Sequence, residues 1–250
     1  MKLSKFLIIF LVAAVACSKK EDSAPSLQNA KVTTTTVQVP SGLTTAANTN
    51  THAQEVVSYI TIANGMTDYT SLFAVPTSGA TKSSTVITAS NGRVAAVTST
   101  TETYIWSDPQ YGSVAFQITD EGTSYRWEYF YKATGAKDWL KYLNAEEAKD
   151  GSSGHLEVLD FTGDDPKAVY FQFNWSKVKD QFTFRWTFAD SYFILNMNTT
   201  TKVGSVDYYE SDGTTGSIPV VVYKYSWNAD GHGSWQSFDW DGVQSGSGTW

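Results

Sequence analysis

Apolar and polar residues alternate along most of the chain beyond residue 84, and the alternation is cleanest over residues 167–188. Val169, Phe171, Phe173 and Trp175 occupy every second position, and Phe182, Phe184, Trp186 and Phe188 do so again. Between them stand Tyr170, Gln172, Asn174, Thr183, Arg185 and Thr187, mostly polar. A period of two puts each set on one face of a strand. The stretch therefore predicts an antiparallel hairpin with one wall of large apolar side chains. The two sets share a face only if the connection has even length. The simplest choice is a four-residue loop at 177–180, with Trp175 opposite Phe182 and Phe173 opposite Phe184.

The same period recurs on both sides of this hairpin. Residues 86–97 read as a hairpin across Ser90-Asn91-Gly92. Further strands are expected around Tyr104 and Trp106, Val114 to Ile118, Tyr125 to Tyr131, and 139–143. Others follow at 156–161, 192–197, 203–209, 220–227 and 235–240, with a short last strand ending at Trp250. Asp120-Glu121-Gly122, residues 163–166, Ser211-Asp212-Gly213, Asp230-Gly231 and Asp241-Gly242 are the turn signals between them. Residues 144–151, rich in Ala, Glu and Lys, are expected to form a helical turn. Gly233-Ser234-Trp235 recurs as Gly248-Thr249-Trp250, most simply a hairpin with matched ends. About a dozen short strands with no helices between them predict a mainly β fold. It is an antiparallel meander that closes into a barrel or curls strongly.

The period changes once. Val56, Tyr59, Ile60, Ala63 and Met66 form a helical stripe that Tyr69, Leu72 and Phe73 continue, and Pro76 stops it. Thr51 with Gln54 fits a capping box at its start. A strand at 57–63 competes, because Tyr59-Ile60-Thr61-Ile62 is β-prone; the longer stripe favours a helix. One amphipathic helix needs a partner, so it is expected to pack on the sheet.

The start of the chain has a different character. Lys2 and Lys5 precede an apolar run at 6–16, shorter than the ~18 residues of a membrane-spanning helix and ending in small residues as a secretory signal does. Ala14-Val15-Ala16-Cys17 resembles the lipobox of bacterial lipoproteins, departing from it at Ala14, where that family more often has Leu. The resemblance implies that Cys17 is acylated and becomes the new N-terminus. Ser18-Lys19-Lys20-Glu21-Asp22 resembles the signal that sends some Gram-negative lipoproteins to the outer face of the outer membrane. A lipid-anchored outer-membrane protein, facing the cell surface more readily than the periplasm, is the expectation. Asp22-Ser23-Ala24 also resembles an O-glycosylation site of some such bacteria. The expected organisation is a signal at 1–16, a flexible tether at 17–50 rich in Ser, Thr, Ala and Asn, and one β-rich domain at 51–250.

Composition narrows the chemistry. The net charge is −7, and cleavage before Cys17 removes Lys2 and Lys5 but no acid, which makes it −9. Such acidity argues against nucleic acid as a partner. Cys17 is the only cysteine, so no intrachain disulfide forms. His52, His155 and His232 lie in unlike contexts without metal-ligand spacing, and no phosphate loop or nucleophile elbow is present. No catalytic residue, metal site or cofactor is assigned, and a non-enzymatic protein is expected. Paired carboxylates would be the remaining catalytic option, with Glu128, Asp160, Asp207 and Asp239 as candidates.

The nine Trp, 14 Tyr and 13 Phe favour strands and raise the question of which face is wet. A transmembrane barrel would turn the aromatics to lipid, and the aromatic last residue, Trp250, resembles such proteins. A lipoprotein signal followed by a polar tether favours the soluble alternative. If the aromatic wall lines a hollow, Trp127, Tyr129, Phe173, Trp175, Phe184 and Trp186 are candidate contacts for an apolar or lipid ligand. Arg126 and Arg185 point the other way by parity. Each either pairs with a Glu, stacks on a Tyr, or meets an anionic ligand group. The outline is similar to lipocalin-like and lipoprotein-carrier folds, without a motif of either. Exposed Trp139, Trp235, Trp240 or Trp250 would instead suit an adhesin stacking on glycans. A structural lipoprotein whose aromatics are all core is the third expectation.

Overall fold

The computed structural model describes Leu27 and residues 30–33, 35–76, 78–88, 100–160, 168–214 and 217–250, leaving aside the side chains at 67, 68 and 71. The signal segment, Cys17, Arg93, the turn expected at Ser90-Asn91-Gly92 and residues 163–166 lie outside the described residues.

Thirteen antiparallel strands form one sheet whose spatial order is the chain order. They are β1 (Thr81–Ser83), β2 (Thr100–Asp108), β3 (Gly112–Asp120), β4 (Ser124–Lys132), β5 (Leu140–Ala148), β6 (Ser153–Leu159) and β7 (Val169–Val178). They continue as β8 (Gln181–Phe188), β9 (Ser191–Asn198), β10 (Gly204–Glu210), β11 (Val220–Trp227), β12 (Gly233–Phe238) and β13 (Gln244–Thr249). The meander is not closed: β1 and β13 are its edges. Glycine takes a positive φ at the expected turns, Gly122, Gly213, Gly231 and Gly242.

The aromatic hairpin forms with its parity as expected but in a different register. Trp175 faces Phe184 and Phe173 faces Trp186, so the loop is the two residues Lys179 and Asp180 instead of four. Both even loops keep the aromatics on one face. The shorter one adds another cross-strand pair, Val178 with Gln181, and requires a left-handed residue, Lys179 with φ 56°. Residues 144–148 are not a helical turn but the second half of β5, because Leu143, Ala145 and Glu147 continue the inward alternation and are buried. The matched ends at the C-terminus do pair: Gly233 and Trp250 exchange backbone hydrogen bonds at 3.3 and 3.0 Å. Residues 86–88 are not in the sheet. Ile87 is instead held on the outer face of β3, its N–H donating to Gln117 Oε1 at 2.8 Å.

One face of the sheet carries almost the whole core. From Tyr104 and Phe116 through Trp127, Leu156, Phe173, Phe184, Leu195 and Val206 to Tyr225 and Trp227, its inward residues belong to one hydrophobic cluster. Two helices cover this face, α1 (Ser41–Ala46) and α2 (Thr51–Thr70), the latter continued by a 3-10 turn at Ser71–Phe73. The first part of the expected stripe is buried, Val56, Ile60, Ala63 and Met66 being 2% exposed or less, and Phe73 is buried as well, whereas Tyr69 and Leu72 are exposed, at 38% and 44%. The cap is not Thr51. Asn50 Oδ1 accepts from the N–H groups of His52 and Ala53 at 3.0 and 3.1 Å, one position earlier than the motif suggests.

The helix lies across the strands. His52 stacks on Trp235 of β12 with ring centroids 4.0 Å apart, Tyr59 meets Phe193 of β9, Tyr69 meets Phe173 of β7, and Phe73 meets Trp127 of β4. The run from His52 to Phe73 is about 32 Å at helical rise, while eight flat inter-strand spacings would be about 38 Å. The inner face is thus somewhat shorter across these strands than a flat sheet would be, as in a curled sheet.

The residues before the helix are not a tether from Leu27 onward. Leu27, Val32, Val37 and Leu43 are all 5% exposed or less, inside the core cluster. Glu147 of β5 holds the segment at Thr33, accepting from its N–H at 2.7 Å and from its hydroxyl at 2.6 Å. Asn64 of α2 holds it at Val37, accepting from the N–H and donating to the carbonyl, both at 2.9 Å. At Gly42 it abuts the β11–β12 turn so closely that a Cβ there would overlap the Asp230 carbonyl at 1.9 Å. Composition hides this role: few apolar residues are present, but Leu27, Ala30, Val32, Val37 and Leu43 are buried, and side-chain hydrogen bonds satisfy the backbone at Thr33 and Val37.

The outer face is largely polar, apart from a small second cluster of Ile87, Ala115 and Phe130 with Ile105 and Trp139 against it. One register row runs Ser153, Ser176, Thr183, Asn196, Ser205, Ser226, Ser234 and Thr249, and the next runs Arg126, Glu146, His155, Asn174 and Arg185. This distribution is the reverse of a membrane barrel, whose apolar band faces outward.

Candidate functional site

The aromatic wall splits into a filled part and an open part. Trp127, Phe173, Trp175 and Phe184 are 5% exposed or less and belong to the packed core. Tyr129 is partly buried, and its hydroxyl donates to the Leu72 carbonyl at 2.6 Å, tying the sheet to the end of the helical segment. None of these five side chains lines any of the five hollows described below. Trp186 lines one.

Trp186 and Phe188 at the end of β8, Phe193 on β9 and Tyr208 on β10 project from the inner face, and Tyr59 descends on them from α2. Together with Ser191 and Tyr192 they enclose a groove of about 280 Å³. At about 30 Å³ per water this is room for roughly nine waters, near the lower end of small-molecule sites. Tyr59 packs at 4.7 Å from Phe193 and 6.0 Å from Tyr208, and Trp186 stands nearly edge-on to Phe193 at 5.8 Å. Space remains because the two-residue turn Ala189–Asp190 ends the strands here: Phe188 pairs with Ser191 and is still 38% exposed. The Trp186 indole N–H is buried with no partner among the described residues.

The groove is electrostatically one-sided. Burial raises the Tyr59 phenol well above its usual range, and Tyr208, Glu55, Tyr223 and Glu210 raise it further. Tyr208 is also raised, by burial and by Glu210, against a hydrogen bond to Ser191 that lowers it. Both phenols stay neutral at physiological pH. Glu55 is itself engaged, accepting from the Tyr225 hydroxyl at 2.5 Å and pairing with His52 at 3.1 Å.

The two arginines sit on the outer face, as parity requires, and each takes a different one of the expected partners. Arg126 is paired with Glu121 and with Glu128 at 3.4 Å, and Lys141 joins Glu128 at 3.1 Å. Arg185 stacks over Tyr192 at 3.9 Å, and Tyr192 stacks on Tyr209 at 4.4 Å. Of the carboxylate candidates, Glu128 on β4 and Asp207 on β10 are six strands apart, about 29 Å along the sheet. His155 lies on the outer face near Asn144, and His232 is exposed at a turn. Among the described residues no group of three or more His, Cys, Asp or Glu is placed to hold a metal. Four further hollows are open to solvent, of about 400 Å³ around Glu146 and His155, 430 Å³ around Trp227 and Trp250, 570 Å³ around Lys82 and Ile105, and 250 Å³ around Gly112 and Lys132.

Sequence reasoning named Trp186 but not its neighbours in the groove. Phe188 and Tyr59 were legible only as members of apolar stripes, and Tyr208 and Ser191 carried no local signal. They meet because of which helix turn crosses which strand. Comparison with known proteins gives no family model matching this chain and no matching relative among curated proteins.

Proposed function

We propose that this chain is a lipid-anchored, extracytoplasmic binding protein that holds a small ligand with an apolar part in the groove between α2 and β8–β10. The observation that carries the reading is the groove itself. Elsewhere much of the aromatic wall shares one core cluster with Leu27, Val32, Val37, Leu43 and the buried stripe of α2, whereas at Trp186, Phe188 and Tyr208 about 280 Å³ is left between rings. The volume suits a headgroup, a ring or a short acyl segment, not a whole phospholipid. The lipobox-like Cys17 and the Lys19-Lys20-Glu21-Asp22 stretch after it support an outer-membrane location, with acyl chains at Cys17 as the membrane attachment. The adhesin alternative has weaker support: the most exposed aromatics, Tyr111 at 67%, Tyr170 at 54% and Trp240 at 51%, lie on different strands and turns and form no common platform.

The test is native mass spectrometry of the mature protein after exposure to a lipid extract, repeated with Phe188→Ala and Trp186→Leu. The expected result is a bound species of a few hundred daltons, lost in both variants. A bare mass under all conditions would sink the proposal, as would a bound species indifferent to both substitutions.

A further inference from the structure

Five aromatic rings surround the groove from three directions: Trp186 and Phe188 from β8, Phe193 and Tyr208 from β9 and β10, and Tyr59 from above. None of the residues lining it is Lys or Arg. Arg185 is engaged on the outer side of the sheet, stacked on Tyr192. Two carboxylates flank the groove: Glu210 of β10 stands opposite Ser191, which lines it, and Glu55 lies one helical turn before Tyr59 on α2. An anion entering this space would meet negative ring faces and acids. A neutral apolar group would gain burial alone. A weakly hydrated cation would gain burial, the ring quadrupoles and the carboxylate field together.

We infer that the groove is an aromatic cage for an organic cation, a trimethylammonium or comparably alkylated amine head. The inference rests on the proposal that this groove is the ligand site, and it names the ligand class. The room for roughly nine waters accommodates such a head with a short tail. A quaternary ammonium has no N–H and needs no directional acceptors, which agrees with a lining made mostly of aromatic side chains.

The experiment is a titration of the mature protein, followed by tryptophan fluorescence and calorimetry. The probes are choline, its neutral isostere 3,3-dimethyl-1-butanol, and butyrate as the anion. Choline is expected to bind roughly tenfold tighter than the isostere, and butyrate weakest. Glu210→Gln is expected to weaken choline several-fold and leave the isostere unchanged. Phe188→Leu, at a partly exposed position that tolerates change, is expected to weaken choline more than the isostere. Equal binding of choline and the isostere overturns the cation inference while leaving the groove as a ligand site. Choline binding unaffected by both substitutions places the cation elsewhere and overturns it too. If no probe binds, and none of the three displaces a species carried through purification, the cage and the underlying site both fail.

Discussion

Asn64→Ala is the sharpest test of how the N-terminal segment is held. Asn64 projects from α2 and mimics a neighbouring strand, pairing with both the N–H and the carbonyl of Val37 at 2.9 Å. Val37 is 2% exposed, so water does not replace the lost partners easily. Each buried backbone group left unpaired costs roughly 1–3 kcal/mol. Ala has the better helix propensity by roughly 0.5 kcal/mol, which offsets part of this. The net expectation is a loss of about 2–4 kcal/mol. At about 2–4 °C per kcal/mol for a domain of this size, Tm should fall by roughly 5–15 °C. Asn64→Asp should also destabilise, because it keeps an acceptor for the Val37 N–H but sets an oxygen against the Val37 carbonyl. The assay is urea unfolding together with amide hydrogen exchange, followed at Val37. Faster exchange at Val37 and at Thr33 is expected in both variants. A stability change below about 0.5 kcal/mol with unchanged Val37 exchange would refute the reasoning, since that is the behaviour of a surface substitution.

Glu147 should set a pH dependence. Burial raises its pKa, against the Thr33 hydrogen bonds and Trp175, which lower it. With the folded value above the unfolded one of about 4.3, its contribution is complete below that pH and is lost as pH rises through the folded pKa. Glu147→Gln should therefore gain stability relative to the parent as pH increases from about 4 to 8; parallel urea curves across that range would contradict this. Gly204→Ala should destabilise by about 1–3 kcal/mol through overpacking, because a Cβ there meets the Trp227 ring at 2.4 Å and the Asn196 carbonyl at 2.7 Å; chemical unfolding measures it. Phe184→Ala, at a fully buried ring, should cost about 3–5 kcal/mol, and a near-neutral result would mean that the wall is not core.

Much of the fold was legible because the period of two is a local property. Alternation identified the strands, the inward face and the outward arginines, and the helical stripe at 56–66 identified α2. The errors fall where local signals are degenerate. An Ala-Glu-Lys segment is helix-prone in isolation, yet pairing to Asn144 and Glu146 on both sides made 144–148 a strand. A two-residue and a four-residue loop preserve the same facing, so parity alone could not choose between them.

What the sequence by itself determined is therefore the inventory: an antiparallel meander, one helix, an aromatic inner wall and a polar outer one. Only the tertiary structure decided how the wall is used. Residues 27–46 look like a tether because they are poor in large apolar side chains. Their few apolar residues become core only once Glu147 and Asn64 satisfy the intervening backbone from distant elements. The groove exists for the same reason. Tyr59, Trp186 and Tyr208 are far apart along the chain, and the gap between them is set by where a helix laid across curled strands fails to reach the last residues of β8. No period or spacing encodes that distance, because it is a difference between two packed surfaces and not a property of either one.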